Sequence, residues 1–329
     1  MIEKIEYRRI TISRVQSNYN ENEHLDNEDE VKYGDIERYE ILKTIGSGKY
    51  STVFLGAIDD GTFCAIKILK NYPQEKIFRE IQVLSHLSSV PNVIKLYDVL
   101  FDEISHTISI VTEYLESIPI RTLVPTLTLE DIRFLMHSLL VSLDSCHKHG
   151  VMHRDIKPGN VLISPSKKQL RIIDWGLADY YFPERMYSVR VSTLRYKAPE
   201  LLLNYQYYDY GVDIWSAGCV FAELLIKYPF FEGCAVDEMI CSVAALCGTD
   251  SIYTYMEKYG LNLSHSALAN FPSNPNPTWN KSFNLVRSSK KDELAFDLLK
   301  KMLTIDHENR ITAHEAISHH FFDTLKPPN

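Results

Sequence analysis

The sequence lacks the features of membrane-spanning proteins and of disulfide-rich secreted proteins. Its longest apolar stretch, residues 217–226, covers ten residues, whereas a membrane helix needs about twenty. The first ten positions carry five charges with no apolar segment behind them, which predicts the absence of a secretory signal. Six of the 329 residues are cysteine and none form a C-x-x-C pair, so we expect buried thiols in a reducing compartment.

The sequence also lacks an excess of basic residues and the residue spacing that is typical of metal ligands. With 43 acidic against 35 basic residues, the formal charge of −8 argues against a protein that mainly binds nucleic acid. The twelve histidines show no ligand spacing such as H-E-x-x-H. What is present is an ordinary globular composition, 45% hydrophobic and 24% charged, in a chain long enough for one large or two modest domains.

The chain divides into an acidic extension and two differently patterned parts. Residues 21–37 hold eight acidic side chains against one lysine, which predicts a surface or solvated extension over residues 1–38. Apolar runs and turn signals then predict a helix at 74–87 and strands at 39–45, 52–58, 63–69, 94–101 and 107–114. This part, residues 39–115, is predicted to form a small sheet lobe.

The pattern after residue 115 is mainly helical. A long helix is expected between the N-cap Thr128 and the stop signal Gly150, and a short strand pair is expected around the loop at 153–160. Further helices are expected at 212–227, 236–246, 293–302 and 313–318. We therefore predict an α+β protein in which residues 116–325 form a larger helical lobe and a cleft lies near residues 113–116.

A glycine-containing turn separates the first two predicted strands. Gly46 and Gly48 lack Cβ atoms, so backbone N–H groups could approach a phosphate here, although an ordinary hairpin turn would use the same residues. The candidate nucleotide-binding residues of the turn and its flanks are Ile45, Gly46, Ser47, Gly48, Lys49, Tyr50, Ser51, Thr52 and Val53.

A charged pair is predicted between the third strand and the following helix. Lys67 lies within an apolar strand, where an ammonium group needs a nearby anion or must point to solvent. Glu80, between apolar residues of the helix, is the candidate partner, and a solvated edge lysine is the alternative reading.

Four later segments carry further chemically active residues. They are His153-Arg154-Asp155-Ile156-Lys157-Pro158-Gly159-Asn160, Asp174-Trp175-Gly176, Thr193 to Glu200, and Asp213-Ile214-Trp215. Together with the glycine turn, Lys67 and Glu80, they resemble the motifs of a eukaryotic protein kinase in order and spacing. Any one motif is weak evidence, whereas the complete ordered series is specific.

The resemblance implies a bilobal protein kinase fold that binds Mg-ATP. The residues that would hold the nucleotide and the metal are Lys67, Glu80, Asn160, Asp174, Glu113 and Leu115. The lysine, oriented by the glutamate, would bind phosphates, and Asn160 and Asp174 would bind Mg²⁺, which prefers oxygen ligands. Backbone groups of Glu113 and Leu115 would bind adenine.

The resemblance also assigns roles at the acceptor side of the transfer. Asp155 would accept the proton of a substrate hydroxyl or orient that hydroxyl, and Lys157 would neutralise charge on the γ-phosphate. Thr193 would tie the substrate-binding segment to Asp155. Arg310 would pair with Glu200 in a structural role.

Trp175 narrows the resemblance, because most kinases have Phe after the metal-binding Asp. With the neighbouring sequence Arg171 to Ala178, it is similar to the catalytic α subunits of casein kinase II. That family phosphorylates Ser and Thr beside acidic residues and is active without phosphorylation of its activation segment, here 174–200, because the N-terminal segment packs against it. It also uses GTP, but Ala65 stands where the family has a bulkier residue and argues against GTP here.

Two further implications concern partners and location. The family docks a dimeric regulatory β subunit on the outer face of the small-lobe sheet, where Ile41 and Phe54 occupy matching positions. The resemblance implies an intracellular location in the nucleus and the cytoplasm, with no membrane and no nucleic-acid partner.

An acidic substrate needs a cationic surface, and arginine forks bind carboxylates well. The candidates are Arg190, Arg195 and Lys197, with Arg79, Lys76 and Lys49 above the cleft. This chain departs from the family by lacking a dense lysine run before Glu80, by Leu194 in place of an arginine and by Gly159 in place of a histidine. We therefore expect a shallower acidic preference.

Two other functions remain possible at this level. A scaffold that binds without catalysis is disfavoured by the presence of Lys67, Asp155, Asn160 and Asp174. A proline-directed relative would suit the segment 193–200, but Trp175 and the absence of a Thr-x-Tyr phosphorylation motif count against it.

Overall fold

The computed structural model describes residues 12–17, 31–70, 73–164, 168–278 and 290–325. Residues 21–30 of the acidic run at 21–37, and positions 71–72 before the first helix, lie outside the described residues. Among the described helices, none combines the length and the apolar character needed to cross a membrane.

The small lobe is a five-stranded antiparallel sheet with one helix beside it. The strands are β1 (Tyr39–Ser47), β2 (Ser51–Ile58), β3 (Phe63–Leu69), β4 (Leu96–Asp102) and β5 (Thr107–Glu113), in the spatial order β1-β2-β3-β5-β4. Helix α1 (Gln74–His86) buries Ile77 and Ile81 and packs against β4. Val53, Lys67 and Ile110 are paired across β2, β3 and β5, so their side chains share one face of the sheet.

The large lobe is organised around two long helices. Helix α3 (Leu129–Lys148) begins at a capping box between Thr128 and Asp131, and Gly150 follows it with a φ of 78°, as glycine commonly does after a helix. Helix α5 (Gly211–Ile226) is buried along most of its length and packs against α3. The other described helices are α2 (Ile120–Leu123), α4 (Pro199–Leu202), α6 (Val236–Cys247), α7 (Thr249–Tyr259), α8 (His265–Ala269), α9 (Lys290–Met302) and α10 (Ala313–Ile317).

Four short strands bring two loops of the large lobe together. They are β6 (Val151–Met152), β7 (Val161–Ser164), β8 (Gln169–Ile172) and β9 (Asp179–Tyr180). Strand β6 pairs with β9 and β7 pairs with β8, so the loop 153–160 lies beside the loop 173–178. Strands do flank the loop 153–160 as predicted, but they pair with these partners and not with each other.

Residues 12–17 of the extension lie against the large lobe. The N–H of Ser13 donates to the Tyr181 hydroxyl at 2.8 Å. Arg14 donates to the carbonyl of Arg310 at 2.5 Å and pairs with Glu315 at 3.3 Å. Tyr181 belongs to the segment 174–200, so this part of the extension contacts the predicted activation segment.

The predicted α+β, two-lobed architecture is confirmed, and the errors are local. Strand β4 begins at Leu96, two residues later than predicted, and α9 begins at Lys290, three residues earlier. The sequence did not predict α2, α4, α7 and α8. A helix of four or five residues is too short to display an apolar repeat of 3.6 residues, which explains three of these four omissions.

Candidate active site

A cleft of about 660 Å³ lies between the two lobes, a size that suits a small-molecule ligand. Its lining includes Ile45, Val53 and Ala65 from the sheet and Leu162 and Ile173 from the large lobe. Apolar side chains therefore face each other across the cleft, as needed to enclose a flat heterocycle.

Some of the predicted nucleotide-binding residues line the cleft and others do not. Those that line the cleft are Ile45, Gly46, Ser51, Val53, Lys67, Glu113 and Leu115. The remaining ones, Ser47, Gly48, Lys49, Tyr50 and Thr52, are not part of the lining. The N–H of Gly48 donates to the carbonyl of Ser51 at 2.8 Å, and the Lys49 ammonium lies 5.0 Å from the centre of the Tyr50 ring.

The segment that joins the lobes is anchored through a side chain. The Glu113 carboxylate accepts hydrogen bonds from Arg171 Nε at 2.7 Å and from the N–H of Lys95 at 3.0 Å. Leu115, two residues on, is buried and lines the cleft. The anchored carboxylate fixes where the backbone of residues 113–115 borders the cleft.

Lys67 lies between two carboxylates at the back of the cleft. Its Nζ is 2.7 Å from Glu80 Oε1 and 3.1 Å from Asp174 Oδ1. Burial alone would lower the pKa of Lys67, but the two carboxylates outweigh burial and raise it above its ordinary value. The sequence-based pairing of Lys67 with Glu80 is confirmed, and the lysine stays charged at neutral pH.

Asp155 accepts four hydrogen bonds in a buried position. Its Oδ1 accepts from the N–H and from the hydroxyl of Thr193, both at 2.8 Å. Its Oδ2 accepts from Lys157 Nζ at 2.6 Å and from Asn160 Nδ2 at 3.2 Å. Because each oxygen accepts from two donors, the orientation of the carboxylate is fixed.

Asp213 positions this loop and has no role in the sequence-based assignment. Its Oδ1 accepts from the N–H of Arg154 at 2.7 Å, and its Oδ2 accepts from the N–H of His153 at 2.8 Å and contacts His147 Nε2 at 3.0 Å. Arg154 has a φ of 65°, an uncommon conformation for a residue with a side chain, and these bonds hold it. The sequence did contain one indication of this role. Asp213 lies within the apolar helix predicted at 212–227, and a carboxylate that is buried there needs hydrogen-bond donors.

His153 and Trp175 fix the backbone beside Asp174. His153 Nδ1 accepts from the N–H of Asp155 at 3.2 Å, so its Nε2 carries the hydrogen that it donates to the carbonyl of Ile173 at 3.1 Å. The Trp175 indole packs edge-on to this ring and donates its N–H to the carbonyl of Ile172 at 3.3 Å. A phenylalanine could not make that hydrogen bond.

Asn160 and Asp174 have the donor atoms that Mg²⁺ prefers. The Asn160 amide nitrogen donates to Asp155 at two points, which leaves its carbonyl oxygen for a metal. Burial would raise the pKa of Asp174, but the Lys67 ammonium lowers it overall and keeps the carboxylate charged. The described residues contain no group of three or more His, Cys, Asp or Glu able to hold a metal, and Mg²⁺ with a nucleotide needs only one or two protein ligands.

The activation segment is joined to both lobes through Asp179. Arg154 Nη2 lies 3.1 Å and Arg79 Nη1 lies 3.6 Å from Asp179 Oδ2. Arg154 also bonds the carbonyl of Leu177 and the hydroxyl of Tyr208. Asp179 therefore connects α1, which carries Glu80, to the loop that carries Asp155.

The predicted substrate-reading residues have different environments. Arg190 and Arg195 are exposed on the activation segment. Lys197 donates to the carbonyl of Val189 at 2.8 Å, and burial lowers its pKa. Arg79 is paired with Asp179. Of the six candidates, the exposed ones are Arg190, Arg195, Lys49 and Lys76.

Comparison with known proteins agrees with this geometry. Residues 39–322 match the protein kinase domain family. A relative from Saccharomyces cerevisiae, casein kinase II subunit alpha', is 40% identical over 296 residues, which cover 89% of this chain and 87% of the relative. The chain thus belongs to the protein kinase family and, within it, to the casein kinase II α-type subunits.

Proposed function

We propose that the protein is a serine/threonine kinase that transfers the γ-phosphoryl group of Mg-ATP to residues beside acidic side chains. The observation that carries the proposal is the buried Asp155 carboxylate, which is fixed by four donors. One of these donors, Asn160, lines the same cleft as Lys67 and Asp174. This arrangement supports a reaction in which Asp155 acts as the proton acceptor and Lys67 as the phosphate-binding cation.

The residues of the chain divide the reaction between them. Lys67 binds and orients phosphate oxygens, and Glu80 holds Lys67 in place. Mg²⁺, held by Asn160 and Asp174, would supply positive charge to the phosphates. Asp155 orients the incoming hydroxyl and accepts its proton, and Lys157, 2.6 Å from Asp155, stabilises negative charge as it develops.

The test is transfer of phosphate from Mg-ATP to three matched peptides. One carries Ser followed by acidic residues, the second has those acids replaced by neutral residues, and the third carries Ser-Pro. We expect the acidic peptide to have the highest kcat/KM and GTP to be a poorer donor than ATP. Preference for Ser-Pro would identify a proline-directed kinase, and a folded protein without transfer would identify a scaffold.

The acidic preference is supported by the two exposed arginines of the activation segment. We predict that the double variant Arg190→Ala/Arg195→Ala raises KM for the acidic peptide about tenfold, because it removes two cations that pair with carboxylates. Turnover of the neutral peptide should change little. Lys197→Ala is the matched control, since Lys197 is bound to Val189, and equal losses on both peptides would contradict the assignment.

We also propose activity without phosphorylation of the segment 174–200. The Asp179 carboxylate pairs with Arg154 and Arg79, the kind of pairing that a phosphate group provides when it orders such a segment. The contact of Ser13 with Tyr181 adds a second support. Unphosphorylated protein expressed in bacteria should therefore be active at once.

From the resemblance we propose that the protein is located in the nucleus and the cytoplasm.

We also propose that a regulatory β subunit binds the sheet of the small lobe. Ile41 on β1 is 50% exposed and Phe54 on β2 is partly buried, and exposed apolar side chains suit a protein interface. We predict that Ile41→Glu weakens binding to a casein kinase II β subunit by about tenfold or more, measured by calorimetry. Ile104→Glu, at another exposed isoleucine, should leave the affinity unchanged, and equal affinity of both variants would contradict this docking surface.

A further inference from the structure

A buried carboxylate lies beneath the activation segment and is not part of the reaction described above. Glu223 is on α5, and its side chain is 9% exposed. Its Oε2 accepts the hydroxyl of Tyr196 at 2.7 Å. Burial and this hydrogen bond raise the pKa of Tyr196, so the hydroxyl remains a donor at neutral pH.

The cation that faces Glu223 comes from α2. Arg121 Nε lies 3.8 Å from Glu223 Oε1, and the Arg121 side chain is 69% exposed. That separation is longer than a hydrogen bond, but the guanidinium also hydrogen-bonds the Tyr196 hydroxyl, and most of the side chain is solvated. Because most of the Arg121 side chain is in water, its attraction to Glu223 is screened, and another cation could take the place of Arg121.

The position of the pair is next to the route of an acceptor peptide. Tyr196 ends the short turn 194–196 that follows Thr193, which bonds Asp155. Arg121 follows the cleft residues Ile118 and Pro119 by two or three positions, and α2 packs against the turn Pro158–Asn160. The pair therefore lies between the mouth of the cleft and the segment that contacts Asp155.

We propose that Glu223 and Tyr196 form a site for a cationic side chain, and that Arg121 occupies this site and thereby excludes basic residues of the substrate. The inference rests on the proposed function, because it names a second determinant of the same substrate preference. With Arg121 present, a lysine or arginine of a peptide meets a guanidinium at this point. Without it, the same peptide residue meets a buried carboxylate with no cation at its exposed side.

The test uses a parent acidic Ser peptide and a set in which one arginine is placed at each of four positions on either side of the Ser. Arg121→Ala should raise kcat/KM about tenfold for arginine at one or two positions, with little change for the parent. Arg121→Lys should keep the wild-type profile. In Arg121→Ala/Glu223→Gln the gain should disappear, because the amide still accepts from Tyr196 but carries no charge.

Binding of fluorescent peptides, measured by anisotropy, accompanies the kinetics and does not depend on turnover. If Arg121→Ala turns over the parent peptide normally and gains neither turnover nor affinity for any arginine peptide, the site is refuted. A lower kcat/KM for the parent peptide without such a gain would also refute the site. It would show instead that Arg121 binds acidic residues of the substrate. If the wild-type protein transfers no phosphate, the proposed function fails, while the anisotropy series still decides on the cationic site.

Discussion

Asp155→Asn is expected to lower kcat about 10³-fold, the size of a general-base contribution, while the protein stays folded. The amide oxygen can still accept from Thr193. The amide nitrogen, however, would face Lys157 Nζ and Asn160 Nδ2, which are donors to Oδ2 in the native protein. The variant therefore loses the proton acceptor and misaligns its neighbours, while the loop remains anchored by Asp213.

The measurement is steady-state phosphorylation of an acidic Ser peptide together with thermal unfolding. Asp144→Asn is the matched control, since it makes the same chemical change at a carboxylate that pairs with Lys148 at 2.7 Å and has no part in the cleft. Normal turnover by Asp155→Asn would show that another group handles the substrate proton. A collapse of the unfolding midpoint would assign the residue to the fold.

Arg310→Met is expected to cost about 3–5 kcal/mol of folding free energy, because it leaves a buried charge without its partner. Arg310 Nη1 and Nη2 bind the two oxygens of Glu200 at 2.7 and 2.9 Å, and both side chains are fully buried. The remaining N–H groups of Arg310 donate to the carbonyls of Thr304, Gly211 and Ile305. All five guanidinium donors are therefore used.

Urea unfolding measures this loss, and its pH dependence separates the pair from simple packing. Burial would raise the pKa of Glu200, but Arg310 lowers it overall. The stabilisation is thus fully present above the ordinary glutamate pKa of about 4.3 and is lost as the pH falls through the lower folded value. The difference between wild type and Arg310→Met should shrink in acid, and a difference independent of pH would contradict the ion-pair account.

Two controls accompany this prediction. Arg38→Met removes an exposed arginine that pairs with the exposed Asp59, and such surface pairs contribute little to stability. The double variant Glu200→Leu/Arg310→Met removes both buried charges and should recover part of the loss. We expect the double variant to lose less folding free energy than the two single variants together. A larger loss would show that neither charge is destabilising when its partner is removed.

The sequence predicted the features that depend on neighbouring positions. Strand alternation, the helix repeat of α3 and its capping box are local, so the element types and most bounds followed from spacing. The pairing of Lys67 with Glu80 was also predictable, because an ammonium in an apolar strand requires an anion and one lies on the next helix.

The remainder depends on contacts between distant parts of the chain. Nothing near Asp213 in sequence shows that it binds the backbone of His153 and Arg154, sixty residues earlier. The attachment of Lys197 to Val189 is short-range but uses a backbone carbonyl, which no side-chain pattern reveals. Likewise Arg121 and Glu223 meet only because α2 and α5 are brought together by the fold.

The loop 153–160 is anchored to α5, so the residues that bind the substrate hydroxyl and the residues that bind the phosphates belong to different lobes. The acceptor side, with Asp155, Asn160 and Thr193, belongs wholly to the large lobe, whereas Lys67 on β3 and Glu80 on α1 belong to the small lobe. A hinge motion that widens the crevice would stretch the 3.1 Å contact of Lys67 with Asp174 and leave the alcohol-binding geometry intact. A small molecule that wedges the lobes apart should thus abolish transfer while peptide affinity survives, and its removal should restore turnover as fast as the hinge closes.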